Sequence, residues 1–191
     1  MRLNGMLIAV LGGVTAVCCS GAAFGQNCTS GSGMKGGGSY SSQDKMFLKN
    51  SAEGSMAEVK LAQIALSKSS NDEVKGFAQK MVDDHTKLIS DMKPFAQKAG
   101  VTPPMKLKPE HQMLAKKLSG LSGDAFDKQY ITEMVKDHHK DLAEFKSEES
   151  STSNTDLKNA VSQGEQVILQ HTEMIDEMAK KNGISAPTSA M

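Results

Sequence analysis

Two stretches decide the fold: Phe77-Ala78-Gln79-Lys80-Met81-Val82-Asp83-Asp84-His85-Thr86-Lys87-Leu88 and its echo, Tyr130-Ile131-Thr132-Glu133-Met134-Val135-Lys136-Asp137-His138-His139-Lys140-Asp141-Leu142. In each, an aromatic stands four residues before Met-Val and eight before the His of Asp-His. Steps of four keep aromatic, Met and His on one stripe of a helix. The first stripe extends as Val74, Phe77, Met81, His85, Leu88, Met92 and Phe95, and the second as Phe126, Tyr130, Met134, His138, Leu142 and Phe145. Both are apolar apart from the histidine, so each His is expected to face a core.

Working outward, the spacing predicts four long helices near 43–69, 71–99, 124–149 and 153–182. Ser41 with Asp44, Ser70 with Glu73 and Ser153 with Asp156 stand at capping-box spacing. The link Ser69–Asn71 is so short that the first two helices must be antiparallel neighbours. Gly100 is a stop, and Pro94 should kink or break the second helix. Pro109 opens a short helix, roughly Glu110 to Leu118, inside the long connection 100–122. The last helix carries Leu157, Val161, Gly164, Ile168, His171, Ile175 and Met178, alternating steps of four and three that suit a bundle seam. No segment of this domain alternates with period two. The expected fold is all-α: a four-helix bundle, ferritin-like, with a short extra helix in the long connection between the second and third long helices.

Before the bundle lies a different kind of sequence. Arg2, the apolar run Met6–Cys19 and Ala23-Phe24-Gly25 read as a signal peptide over 1–25, cleaved before Gln26. The run is shorter than the roughly 20 residues of a membrane span. Residues 26–42 read as a flexible Gly/Ser-rich tether, 43–184 as the bundle and 185–191 as a disordered tail. A periplasmic or extracellular protein is expected, with no integral span after signal removal. A retained anchor, or a lipoprotein acceptor at Cys18 or Cys19, is the weaker alternative. Cleavage leaves Cys28 alone, so the fold needs no internal disulfide.

Composition excludes several classes. There are 22 basic and 22 acidic residues and no basic patch, which argues against nucleic acid. With no Trp, two Tyr and six Phe, the core must come from Leu, Ile, Val, Ala and the 13 Met. Gly-x-Ser-x-Gly, phosphate-cradling glycine loops and His-Glu-x-x-His are absent from the domain.

Taken together, Phe47 with Ala52-Glu53-Gly54-Ser55-Met56-Ala57-Glu58-Val59, the 74–85 stretch, Gly100 with Pro103, Gly123-Asp124-Ala125-Phe126-Asp127-Lys128-Gln129-Tyr130, Met134-Val135 with His138 or His139, and His171 form a recognisable set. The order resembles the DUF4142 family of exported bacterial proteins. The resemblance covers about 44–180 and implies a ferritin-like bundle and export. It implies no reaction, because the family's name records an undefined function.

The candidate chemistry is metal binding. A carboxylate-bridged di-iron bundle needs Glu-x-x-His on two helices. Here Val82, Val135, Lys136 and Ile168 stand three residues before His85, His138, His139 and His171, so that centre is not expected. Glu58, His85, His138 and His171 can face the axis from four helices, and imidazole suits Zn, Cu, Ni or Fe. Reflecting one helix onto the next through its link puts His85 level with Gly54 or Ser55, His138 with Gly164 and His171 with Ile131. At a rise of about 1.5 Å per residue His138 and His171 then lie about 10 Å apart along the axis, so the four are not expected in one site. The structural alternative has each His bonded across the bundle to Glu58, Ser55, Tyr130 or Glu165. Asp84 and Asp137, about 100° off the stripes, should face solvent. The favoured function on sequence is an exported non-enzymatic binding or envelope-stress module of undefined role. The alternative is a ferritin-like protein binding Cu, Zn or Fe through inward histidines. No partner is identified, no cofactor beyond that metal is implied, and oligomerisation stays open.

Overall fold

The computed structural model describes residues 38–185. The readings for the signal peptide, Cys18, Cys19, Cys28, most of the tether and nearly all of the tail lie outside them. The described residues form five helices and no strand: α1 (Ser42–Lys68), α2 (Asp72–Ala99), α3 (Pro109–Ser119), α4 (Gly123–Ser151) and α5 (Thr155–Lys181). None is long and apolar enough to cross a membrane.

The bundle is two helical hairpins of the same construction. In the first, Ser69 ends α1 and its hydroxyl accepts the Asn71 N–H at 3.0 Å. Asn71 then caps α2, accepting from the N–H groups of Glu73 and Val74. In the second, Thr152 ends α4 and accepts the Asn154 N–H, and Asn154 caps α5 through the Leu157 N–H. The caps are therefore Asn71 and Asn154, one residue after the expected Ser70 and Ser153. The preceding hydroxyl folds each link into a turn that carries the asparagine, not the serine, to the helix start. At α1 the capping box forms as expected: Asp44 N–H donates to Ser41 Oγ and Ser41 N–H to the Asp44 carboxylate.

Side-chain contacts at the ends fix the topology. Asn154 Nδ2 donates to the Gly38 carbonyl at 2.8 Å, and Gln43 Nε2 to Ser151 Oγ at 2.7 Å, so α4 ends where α1 begins. Lys181 Nζ meets Glu73 at 3.1 Å, so α5 ends where α2 begins. The connection 100–122 must then carry the chain from one end of the bundle to the other, as in ferritin-like bundles. Within it α3 lies against α1 and α4.

Gly100 takes the left-handed conformation (φ 72°) and stops α2. Pro94 does not break α2. The missing bond to residue 90 is compensated by continued burial of Met92, Ala96 and Ala99 beyond the same turn. Gly164 allows close approach of α5: a Cβ there would lie 2.6 Å from Phe145 Cε1 and 3.0 Å from Leu88 Cδ1.

Two apolar clusters fill the bundle. One gathers Leu61, Phe77, Met81, Phe126, Tyr130, Met134 and Ile175; the other gathers Phe47, Leu88, Met92, Phe145, Leu157 and Ile168. Methionine supplies less core than its abundance suggests. Met81, Met92, Met134 and Met178 are buried, but Met46, Met105, Met113 and Met174 are exposed.

Candidate metal centre

Between the two apolar clusters lies one polar layer. On α2 His85 sits between Met81 and Leu88, on α4 His138 follows Met134, and on α5 His171 sits between Ile168 and Ile175. All three histidines have 0% exposure, and Glu58 of α1 has 2%. His111 and His139 stay outside the layer: His139 is one residue off its stripe, and His111 lies on the short connecting helix α3. His139 is half-buried and meets Asp176 at 2.9 Å. His111 is half-buried on α3, and burial, with Lys108 and Lys140 nearby, holds its imidazole below the usual range.

The three inward rings form a nearly equilateral triangle. Their centroids are 5.8 Å (His85–His138), 5.3 Å (His85–His171) and 5.6 Å (His138–His171) apart. One nitrogen from each ring lies within 4.8 Å of one from each of the others. The expected axial separation of about 10 Å between His138 and His171 is therefore not found. Helix α4 runs to Ser151, beyond the expected 149, and α5 starts at Thr155, after the expected 153, which together move the mirror point of the second hairpin from Ser151 to Ser153. His138 then faces Ile168, and its offset from His171 falls to three residues, about 4.5 Å. In the first hairpin the reflection holds: His85 Nδ1 lies 3.3 Å from Ser55 Oγ.

Each ring is anchored through one nitrogen. His138 Nδ1 lies 2.9 Å from the Met134 carbonyl, which can only accept, so Nδ1 carries the hydrogen. His171 Nε2 donates to the Asp84 carboxylate at 2.8 Å. That carboxylate is itself held by Lys80 at 2.6 Å. Burial raises the Asp84 carboxyl, but the bonds from Lys80 and His171 outweigh this and hold it below its ordinary value. His85 Nδ1 faces Glu58 at 3.0 Å as well as Ser55. The second nitrogen of each ring, Nε2 of His85 and His138 and Nδ1 of His171, is buried with no partner.

The charge states suit this arrangement. Burial lowers His138, and burial together with His85 lowers His171 to about 4, so both are neutral at pH 7. Burial opposes ionisation of Glu58, yet His85 and His138 beside it keep its carboxyl below the usual range. Phe77 closes one side, its ring 6.0 Å from His138 and 6.1 Å from His171.

Of the sequence candidates, Glu58, His85, His138 and His171 all come together, with Glu58 also 3.6 Å from His138 Nδ1. Tyr130 and Glu165 do not serve the histidines. The Tyr130 hydroxyl is buried without a partner, and Glu165 neighbours Glu149. Asp84 and Asp137 do not simply face solvent. Asp84 reaches across from α2 to α5. Asp137 is half-buried in a cavity between α1 and α4, where burial, then Glu58 and Glu133, push its carboxyl up to about 7. The sequence signal for Asp84 was its place beside His85 on the flank of the buried stripe, where a short side chain reaches the next helix rather than its own.

The geometry is consistent with a transition-metal site. Three buried imidazoles, each able to bring a nitrogen within 4.8 Å of the others, match the three-protein-ligand pattern of Zn and Cu centres, and the anchoring of one nitrogen on each ring matches their usual outer support.

The sequence matches the family described as "Domain of unknown function (DUF4142)" over residues 31–178, and the chain belongs to that family. No curated protein matches it. Among solved structures, it is similar to a DUF305 fragment from Deinococcus radiodurans, with a TM-score of 0.64 at 16% identity, covering 76% of this chain and 99% of that one. It is also similar to a putative secreted DUF305 protein from Streptomyces coelicolor, with a TM-score of 0.64 at 13% identity, covering 78% and 97%. At these identities the likeness is one of fold.

Proposed function

We propose that this DUF4142 protein binds a transition-metal cation, Zn(II) or Cu(II), through His85, His138 and His171. One observation carries the reading: each ring has one nitrogen fixed by a partner and the other buried and unpaired. A structural histidine is stabilised when both nitrogens are satisfied, and an orphaned buried polar atom costs about 1–3 kcal/mol. Three such rings, each with a nitrogen within 4.8 Å of one on each of the others, offer a ligand set for one cation. Glu58 supports the ion from outside that shell. Its negative charge offsets part of a divalent charge in a place from which water is excluded.

The role this supports is binding, in the sense of holding or buffering a metal, with no chemical step assigned. The amino-terminal leader read from the sequence supports a periplasmic or extracellular setting. The test is elemental analysis and calorimetric titration of protein purified without a His-tag. Wild type should take up about one Zn or Cu per chain. Replacing His138 or His171 with Ala should abolish stoichiometric uptake. Uptake that is absent from the wild type, or unchanged in both variants, would return the histidines to a purely structural role.

A further inference from the structure

Beside the centre lies a cavity of about 220 Å³ between α1 and α4. Gly54 and Glu58 of α1 line one wall, and Asp137, Asp141 and Glu144 of α4 the other, with His111 of α3 over the rim. The spacing explains the gathering. Gly54 and Glu58 are four apart, as are Asp137 and Asp141, so each pair shares a helix face. Two lysines also reach the cavity, but Lys108 is taken up by Glu53 at 2.7 Å and Lys140 by Glu144 at 3.5 Å. That leaves Glu58, Asp137 and Asp141 as carboxyl groups without a lysine partner. Burial, then Glu58, pushes Asp137 up to about 7 and Asp141 well above its ordinary value, as expected of carboxyls crowded together without a cation.

Glu58 belongs to both places. It is 2% exposed, lies 3.0 Å from His85 Nδ1, takes no hydrogen bond at either carboxylate oxygen, and lines the cavity. The histidines themselves have no exposure, and Phe77, Met81, Met134 and Ile168 seal them within the bundle. At the other edge, Lys80, Asp84 and His171 are joined by short bonds between α2 and α5.

Resting on the metal-binding reading above, we propose that this carboxylate-lined cavity is the access route to the three-histidine centre: a hydrated divalent cation docks between Asp137 and Asp141 and passes Glu58 to reach the imidazoles. Carboxylates suit a cation that still carries water, whereas imidazole nitrogens suit the dehydrated transition metal. The unpaired Glu58 carboxylate offers a contact at both ends of the transfer.

The route can be plugged without touching a histidine. A Cβ at Gly54 would lie 3.6 Å from Asp141 Oδ2, an ordinary contact, and a longer side chain would continue into the cavity. Leu is also a better helix former than Gly, so Gly54→Leu should fold, which its circular dichroism and melting temperature would check. Co(II) binding is followed by stopped-flow absorbance, and release by competition with a chelator. In Gly54→Leu both association and release should slow by about tenfold or more, with Kd within about twofold of wild type, because a route alters both rates alike. Gly54→Ala should behave as wild type. Asp141→Asn should slow association several-fold and flatten its dependence on ionic strength. Unchanged rates in Gly54→Leu would overturn the proposal, as would a looser Kd in Asp141→Asn at an unchanged association rate. If wild type binds no Co(II), Zn(II) or Cu(II) at equilibrium, the metal-binding reading itself fails, a result distinct from normal binding through an unplugged path.

Discussion

Two groups of buried polar residues in the bundle are resolved differently. At mid-height, His85, His138 and His171 each fix one nitrogen and leave the other free. At the end where α1 begins, Asp44, Glu148, Thr152 and Asn154 are all at least nine-tenths buried. There the atoms are used locally: Asp44 for the Ser41 N–H, Thr152 for the Asn154 N–H, and Asn154 for Leu157 and Gly38. Glu148 is the odd member, and burial followed by the neighbouring Asp44 pushes its carboxyl up to about 7. A proton settles that site. At the other, protonating all three adjacent buried imidazoles would place like charges 5.3–5.8 Å apart between ring centres. Burial of polar groups thus creates a demand in both places, met at Glu148 by a proton and, on the reading proposed above, at the histidines by a metal.

The largest effect that would break this contrast is metal-dependent stability. A ligand bound only by the folded state at about 1,000 times its Kd adds about 4 kcal/mol. Zn(II) at that excess should raise the melting temperature of the wild type and of Glu148→Gln alike, and should leave His138→Ala unmoved. A rise retained by His138→Ala would locate the ion elsewhere.

The second effect, smaller, comes from the other site and from pH. The Glu148 carboxyl titrates near 7 when folded against an ordinary value of 4.5. A raised folded pKa gives stability that is full below 4.5 and is lost as pH rises through about 7. At about 1.4 kcal/mol per unit, and with the proton shared with Asp44, the loss should be about 2–3 kcal/mol. Other carboxyls and the histidines also titrate, so the informative quantity is the stability difference between wild type and Glu148→Gln in denaturant titrations. Relative to the variant, wild type should weaken between pH 4.5 and 7.5 by about that amount. A difference that stays flat would mean Glu148 is ionised in the fold.

Much of this was legible in the sequence, and the failures have a common cause. Helical phase is local, so the stripes through Met81-His85-Leu88 and Met134-His138 revealed which histidines turn inward. Height along the axis is not local. It depends on where helices end and begin, and errors of two residues at the end of α4 and at the start of α5 more than doubled the apparent offset between His138 and His171. The same kind of one-residue question at the links moved the caps from Ser70 and Ser153 to Asn71 and Asn154. Asp84 was missed for another reason: phase separates it from His85 on its own helix but says nothing about the neighbour on α5 that it can reach. The metal reading gained from the structure because convergence of three nitrogens is a property of heights, not of phases.

The smallest effect sharpens the comparison from the structural side. Asn71 and Asn154 occupy equivalent places in the two hairpins, yet their surroundings differ. Asn71 is half-buried and uses only its carbonyl, accepting from Glu73 and Val74. Asn154 is 1% exposed, and its amide also donates to the Gly38 carbonyl at 2.8 Å. Losing an N-cap costs typically about 1 kcal/mol. Asn71→Ala should cost about that or less, since water can replace the carbonyl. Asn154→Ala should cost about 1 kcal/mol more, because it also removes the amide's bond to Gly38 and empties a buried position. Both variants should bind metal with wild-type affinity, since neither side chain touches the histidine layer. Equal costs at the two caps would mean that the Gly38 contact contributes nothing to the fold. A metal affinity that fell with Asn154→Ala would show that the end of the bundle and its centre are coupled through the register of α4 and α5, which sets the height of His138 against that of His171.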